Sequence, residues 1–166
     1  LRGVFCTAPG VRNIPYNILQ EAIATFWLVF AIKAACGAFD LGTFGVFLTI
    51  VSCGTTFGGL TGYAMNAARD TAPRLAFSIL PIKGKGDADW AYGLTAPLIG
   101  PVIGALVAVA VYAALPLYGT LAAADGYTIA VIIEMIIAEM AGGFIGAVLV
   151  WVAFKPQFDA SSDLGD

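Results

Sequence analysis

The sequence predicts an all-α membrane protein. Mean hydropathy is +0.89 and only 11% of the 166 residues are charged, where a soluble domain carries about 25%. Several apolar runs match the roughly 20 residues a helix needs to cross a ~30 Å hydrocarbon core. Between two of them lies "GGLTGYAMNAARDTAPRL", residues 58–75, which holds an Asn, an Asp and two Arg. Non-helical backbone at membrane depth is tolerated only where protein buries it or water reaches it. A glycine-rich stretch with these side chains therefore predicts a segment that enters the membrane beside a lumen without crossing.

Residues 1–17 are polar, are broken by Pro9 and Pro15, and read as a loop. Residues 18–39 form the first span, with Glu21 near one end and Lys33 near the other. Residues 43–58 form the second, rich in the Gly, Ser and Thr that permit close helix contact in lipid. Residues 59–65 have no helical face, and 66–80 predict a helix of about 15 residues, roughly 22 Å long and too short to cross. Together 59–80 make the re-entrant loop and half-helix. A loop follows over 81–90, then the third span, 91–115, where Gly100 and Gly104 form a GxxxG contact pair. Residues 116–127 turn, 128–154 form the fourth span, and 155–166 are a polar tail. The chain thus reads as one transmembrane unit of four spans and one half-helix.

Composition excludes several function classes. The chain has no histidine, which removes His-based catalysis and most transition-metal sites. Cys6, Cys36 and Cys53 lack metal spacing, and the latter two read as small buried hydrophobes. No basic patch points to nucleic acid. No nucleophile–base pair points to an enzyme, and no cofactor or metal is expected. No charged segment followed by a short apolar core opens the sequence, so no secretory leader is expected.

Within 58–75, Asn66 suits a helix N-cap, its side-chain oxygen accepting from the second or third amide. The half-helix then aims its positive dipole end at the lumen. Arg69 lies about one turn on. An intramembrane Arg is costly and points to function; an Arg with a half-helix dipole can reject cations and protons from a pore. The competing reading is an interfacial loop with a snorkelling Arg.

"GLTGYAMNAARD" resembles the second pore motif of the aquaporin superfamily, in its glycerol-facilitator branch, where the pattern is Asn-Pro-Ala-Arg followed by Asp. "QEAIATFWLVFAI" resembles that family's fourth helix, "APLIGPVIGALVAVAVY" its sixth, and "VFCTAP" the outer loop before the fourth. The resemblance runs through residues 1–115 in family order. It implies a selectivity filter of Arg69, Tyr63 and Gly54. The family commonly has Phe at the position of Tyr63, and its water-selective members usually have His at that of Gly54. It implies a pore motif of Asn66, Ala67 and Ala68, and pore-lining carbonyls at Gly62, Tyr63 and Ala64. Glu21 would accept hydrogen bonds from the re-entrant loop, and Asp70 would support it.

Two departures stand out. Ala67 replaces the motif proline, which costs a preset φ but keeps an excellent helix former. The family's first two helices and first pore loop find no counterpart. Residues 128–166 resemble instead its third helix and following outer loop, with Glu139 where the family often has Gln, as a further support of the half-helix. The chain therefore looks circularly permuted or rearranged, with both termini outside. That orientation leaves Lys33 as the main inside charge, against the positive-inside rule.

The resemblance implies a passive plasma-membrane channel for glycerol, water and small polyols, working as a homo-oligomer, tetrameric in the family, or with the missing half of the pore. Two alternatives come from other classes. One is a proton-coupled secondary transporter subunit using Glu134 or Glu139. The other is a membrane assembly module without transport.

Overall fold

The computed structural model describes residues 2–36, 40–114, 137, 140–153 and 155, with the backbone alone at 35 and 36. In chain order the helices are α1 (Arg2–Phe5), α2 (Ile14–Ala31), α3 (Gly42–Thr61), α4 (Ala67–Ile79), α5 (Trp90–Gly93), α6 (Ala96–Ala114) and α7 (Met140–Ala153). A wide turn over Ile32–Cys36 prolongs α2. Among the described residues all regular structure is helical.

Helix α2 starts inside the segment expected to be loop. Pro15 lies in the first turn, where its missing N–H leaves no bond unmade. Asn13 caps the helix, and its own amide donates to Asn17 Oδ1 at 3.0 Å. Helix α3 runs to Thr61, past its expected end, and stops where Gly62 turns left-handed (φ +79°). The third expected span is divided. Its first turn is α5, Leu94 and Thr95 bond back to Trp90 and Tyr92, and α6 follows. Among the described residues three stretches are long and apolar enough to cross a membrane: Ile14–Ala34, Gly42–Thr61 and Trp90–Ala114. The thirteen residues of α4 extend only about 20 Å. Of the fourth expected span, α7 is described, and most of 128–139, with Glu134 and Glu139, lies outside the described residues.

Helix α2 packs most extensively on α6. The contact is made by the GxxxG pair. A Cβ at Gly100 would stand 2.8 Å from the Ile18 carbonyl oxygen, and one at Gly104 would stand 3.0 Å from Ala22 Cα. Only residues without a side chain let the two backbones approach this closely, the usual device where lipid offers no hydrophobic drive. The opposite sides, Leu19, Ile23 and Trp27 on α2 and Val102, Leu106 and Val109 on α6, are exposed and apolar, as a lipid-facing surface requires.

Half-helix α4 buries one face against the rest of the protein. Its Ala76 and Phe77 pack with Phe5, Cys6, Ile82 and Ala147, so α1, the loop after α4 and α7 all close on it. A second cluster joins Ala24 of α2, Cys53 of α3 and Met65, and sets the loop between α3 and α4 against both spans.

Candidate pore-loop site

The α3–α4 loop is short and strained. After Gly62 at φ +79°, Tyr63 (φ +40°) and Met65 (φ +51°) also take left-handed conformations, which non-glycine residues rarely adopt and which cost energy. Glu21 compensates. Its carboxylate, wholly buried, accepts from the Ala64 amide at 3.0 Å and the Met65 amide at 2.8 Å, one on each oxygen. Charge-assisted bonds of this kind are roughly twice as strong as neutral ones. The loop carries no regular secondary structure, and the Glu21 bonds tie it to α2.

Asn66 ends the loop in extended conformation and caps α4, its Oδ1 accepting from Ala68 N at 2.8 Å and Arg69 N at 3.3 Å. Ala67 and Ala68 form the first turn, Ala68 buried. Arg69 is exposed, with its guanidinium carbon 5.3 Å from the centre of the Tyr63 ring, within cation–π range. That ring lies along α3: a Cβ at Gly54 would stand 3.6 Å from Tyr63 Cζ, and one at Gly58 would stand 3.1 Å from its Cδ1. The structure thus brings Gly54, Tyr63 and Arg69 together.

Tyr63 and Arg69 border a cavity of about 790 Å³. Gly62, Tyr63 and Asn66 border it from the loop, Arg69 from the first turn of α4, Thr7 from the N-terminal segment, and Gly143, Ala147 and Val150 from α7. Ala64 is buried and does not border it; Gly54 reaches it only through Tyr63. The wall combines donors, an aromatic face and apolar side chains. Such a surface can accept a neutral polyhydroxy solute with hydroxyls on one side and CH groups on the other. Among the described residues no cluster of His, Cys, Asp or Glu could hold a metal ion.

Two residues that sequence reasoning does not single out hold α4 in place. Arg74, wholly buried, donates from Nε to Asp70 Oδ2 at 2.7 Å and from NH2 to Asp70 Oδ1 at 2.8 Å. It also reaches the carbonyls of Thr7 (2.9 Å), Asp89 (3.2 Å) and Ala88. Asp70 in turn accepts from the Thr7 amide at 2.8 Å and hydroxyl at 2.6 Å. The pair ties half-helix, N-terminal segment and the 81–89 loop into one buried knot. The signal was present: opposite charges four apart share a helix face. At the other end, Lys85 Nζ donates to the carbonyls of Phe77 (3.0 Å), Ser78 (2.8 Å) and Leu80 (2.8 Å), closing the C-terminus of α4.

Residues 4–112 match the model of the major intrinsic protein family. The chain belongs to that family. It is 47% identical over 112 residues to the glycerol uptake facilitator protein of Streptococcus pneumoniae, an alignment covering 65% of this chain and 47% of the relative. It is 46% identical over 110 residues to a D/L-lactic acid transporter of Lactiplantibacillus plantarum (65% and 46%). It is also 46% identical over 112 residues to a probable glycerol uptake facilitator protein of Thermotoga maritima (66% and 47%). The chain spans about half the length of the curated relatives it matches. No solved structure gives a significant match. As a major intrinsic protein with three apolar stretches of crossing length among its described residues, it is an integral membrane protein with a partial aquaporin-like bundle. The family match ends at residue 112, before α7.

Proposed function

We propose that this chain forms part of a passive channel of glycerol-facilitator type in the plasma membrane, conducting glycerol, water and small polyols. The observation that carries the reading is that Tyr63, on a loop held by Glu21, and Arg69, in the capped first turn of α4, border one cavity together, with Gly54 of α3 behind the Tyr63 ring. Arg69 would donate to solute hydroxyls while the Tyr63 ring meets the CH groups. The positive charge of Arg69 and the α4 dipole would keep cations and protons out. Asp70 supports the site through Arg74 and Thr7. In the same reading α7 stands where the family's third helix would, Glu139 assists α4, and a second pore loop comes from another segment or another copy in a homo-oligomer. The D/L-lactic acid transporter among the relatives supports a solute range that includes lactic acid.

The test is solute flux into proteoliposomes, followed as swelling by light scattering. Glycerol entry above that of empty vesicles, indifferent to an imposed pH gradient and lost in Arg69→Val, is the expected result. Flux that needs a pH gradient and disappears in Glu139→Gln would replace the channel with the proton-coupled transporter. A folded protein without flux would leave an assembly role.

A further inference from the structure

We infer that Gly58, outside the three filter positions, is a specificity-determining residue, because it sets how far the Tyr63 ring projects into the cavity. The inference rests on the channel reading above. The Tyr63 ring packs along α3 and on the Ala24–Cys53–Met65 cluster, has the Arg69 guanidinium 5.3 Å from its centre, and borders the cavity. Gly54 and Gly58, one turn apart, present bare backbone to it, and neither borders the cavity. The two are not equivalent. A Cβ at Gly54 would stand 3.6–3.8 Å from the ring, an ordinary contact. A Cβ at Gly58 would stand 3.1 Å from Cδ1 and 3.2 Å from Cε1, too close for unstrained carbon contact. A single methyl at Gly58 therefore displaces the ring by a few tenths of an ångström, and the open side is the cavity.

The consequence is selective. Moving an aromatic wall inward narrows the path for a solute that must slide its CH groups along that wall. Water, smaller and held by hydrogen bonds, loses less. Gly54 sets how much room lies beside the ring; Gly58 sets where the ring stands.

The test uses Gly58→Ala in the full chain, with Gly59→Ala as control, because a Cβ at Gly59 would meet nothing within 4 Å. Two measurements are made. The first is the ratio of glycerol to water permeability in proteoliposomes. The second is the 19F resonance of 3-fluorotyrosine placed at Tyr63, which reports ring environment whether or not the vesicles conduct. Gly58→Ala is expected to lower glycerol flux severalfold, water flux by less than twofold, and to shift the resonance, while Gly59→Ala does none of these. A resonance that moves no more than in Gly59→Ala overturns the proposal, as does an equal loss of glycerol and water flux. Absence of glycerol flux in the unaltered chain would instead overturn the channel reading, and the resonance would still decide the position of the ring.

Discussion

Arg74 and Asp70 form a two-point ion pair one turn apart inside the protein, with Nε–Oδ2 at 2.7 Å and NH2–Oδ1 at 2.8 Å and neither side chain reached by solvent. Removing one member of such a pair leaves an uncompensated buried charge, a loss of about 3–5 kcal/mol. Asp70→Asn and Arg74→Met are each expected to destabilise the protein by that order. The double variant should cost clearly less than their sum, because contacting residues couple. SDS-titration unfolding of the four proteins gives the cycle. Strict additivity would mean that the two residues act separately.

Glu21 acts on the loop as Arg74 acts on the half-helix. Glu21→Gln puts an NH2 where one oxygen met an amide, leaving a buried donor unsatisfied at about 1–3 kcal/mol. Tyr63 and Met65 then lose what holds them left-handed. The expected outcome is a lower unfolding midpoint together with loss of glycerol flux, whereas a variant with normal flux would show that the loop keeps its shape unaided.

Lys85 caps the far end of α4. Its ammonium meets three carbonyls of the last turn and lies 5.9 Å from the Phe77 ring centre. A cation there completes orphan carbonyls and opposes the helix dipole, worth up to about 2 kcal/mol in partly buried geometry. Lys85→Met should lower the unfolding midpoint accordingly, and Lys85→Arg should lose less. Equal losses in both would mean that packing, rather than charge and donors, is what Lys85 supplies.

How much of this could be read in the sequence follows the range of each interaction. The cap at Asn66 spans two and three residues, and the shortness of α4 is a matter of counting, so both are legible locally. The start of α2 was hidden because a proline reads as a breaker until its first-turn place is known. Arg74 could be paired with Asp70 by spacing, but its other partners, Thr7, Ala88 and Asp89, lie at separations no periodicity reports. The same holds for Gly58: composition marks it as small, and only the folded loop puts the Tyr63 ring against it.

Cys6 gives a prediction outside the spanning helices. Burial, above all, raises its thiol pKa from an ordinary 9.0 to about 11; Asp70 and Asp89 add to the rise, and Arg74 and Arg2 oppose it. In a Cys36→Ala/Cys53→Ala background, maleimide labelling at pH 8 should be slowed roughly a hundredfold relative to a free thiol, because the thiolate is the nucleophile. The folded pKa lies above the unfolded one. The neutral buried thiol therefore favours folding fully below pH 9, and that contribution is lost as pH rises through 11. A labelling rate whose midpoint falls near that of a free thiol would show that Cys6 is accessible.

Ala67 offers a substitution expected to stabilise. It occupies the first position of α4, where proline's fixed φ suits a helix and its missing N–H costs nothing. The amides that Asn66 accepts belong to Ala68 and Arg69, so the Ala67 amide takes no part in the cap. The residue before a proline must avoid the helical region, and Asn66 already lies at φ −154°, ψ 120°. Ala67→Pro should therefore raise stability by about 0.4–1 kcal/mol, chiefly by restricting the unfolded chain. Glycerol flux should stay the same, because the cap, Arg69 and Tyr63 keep their places. A loss of stability would mean that the loop enters α4 at an angle proline cannot follow.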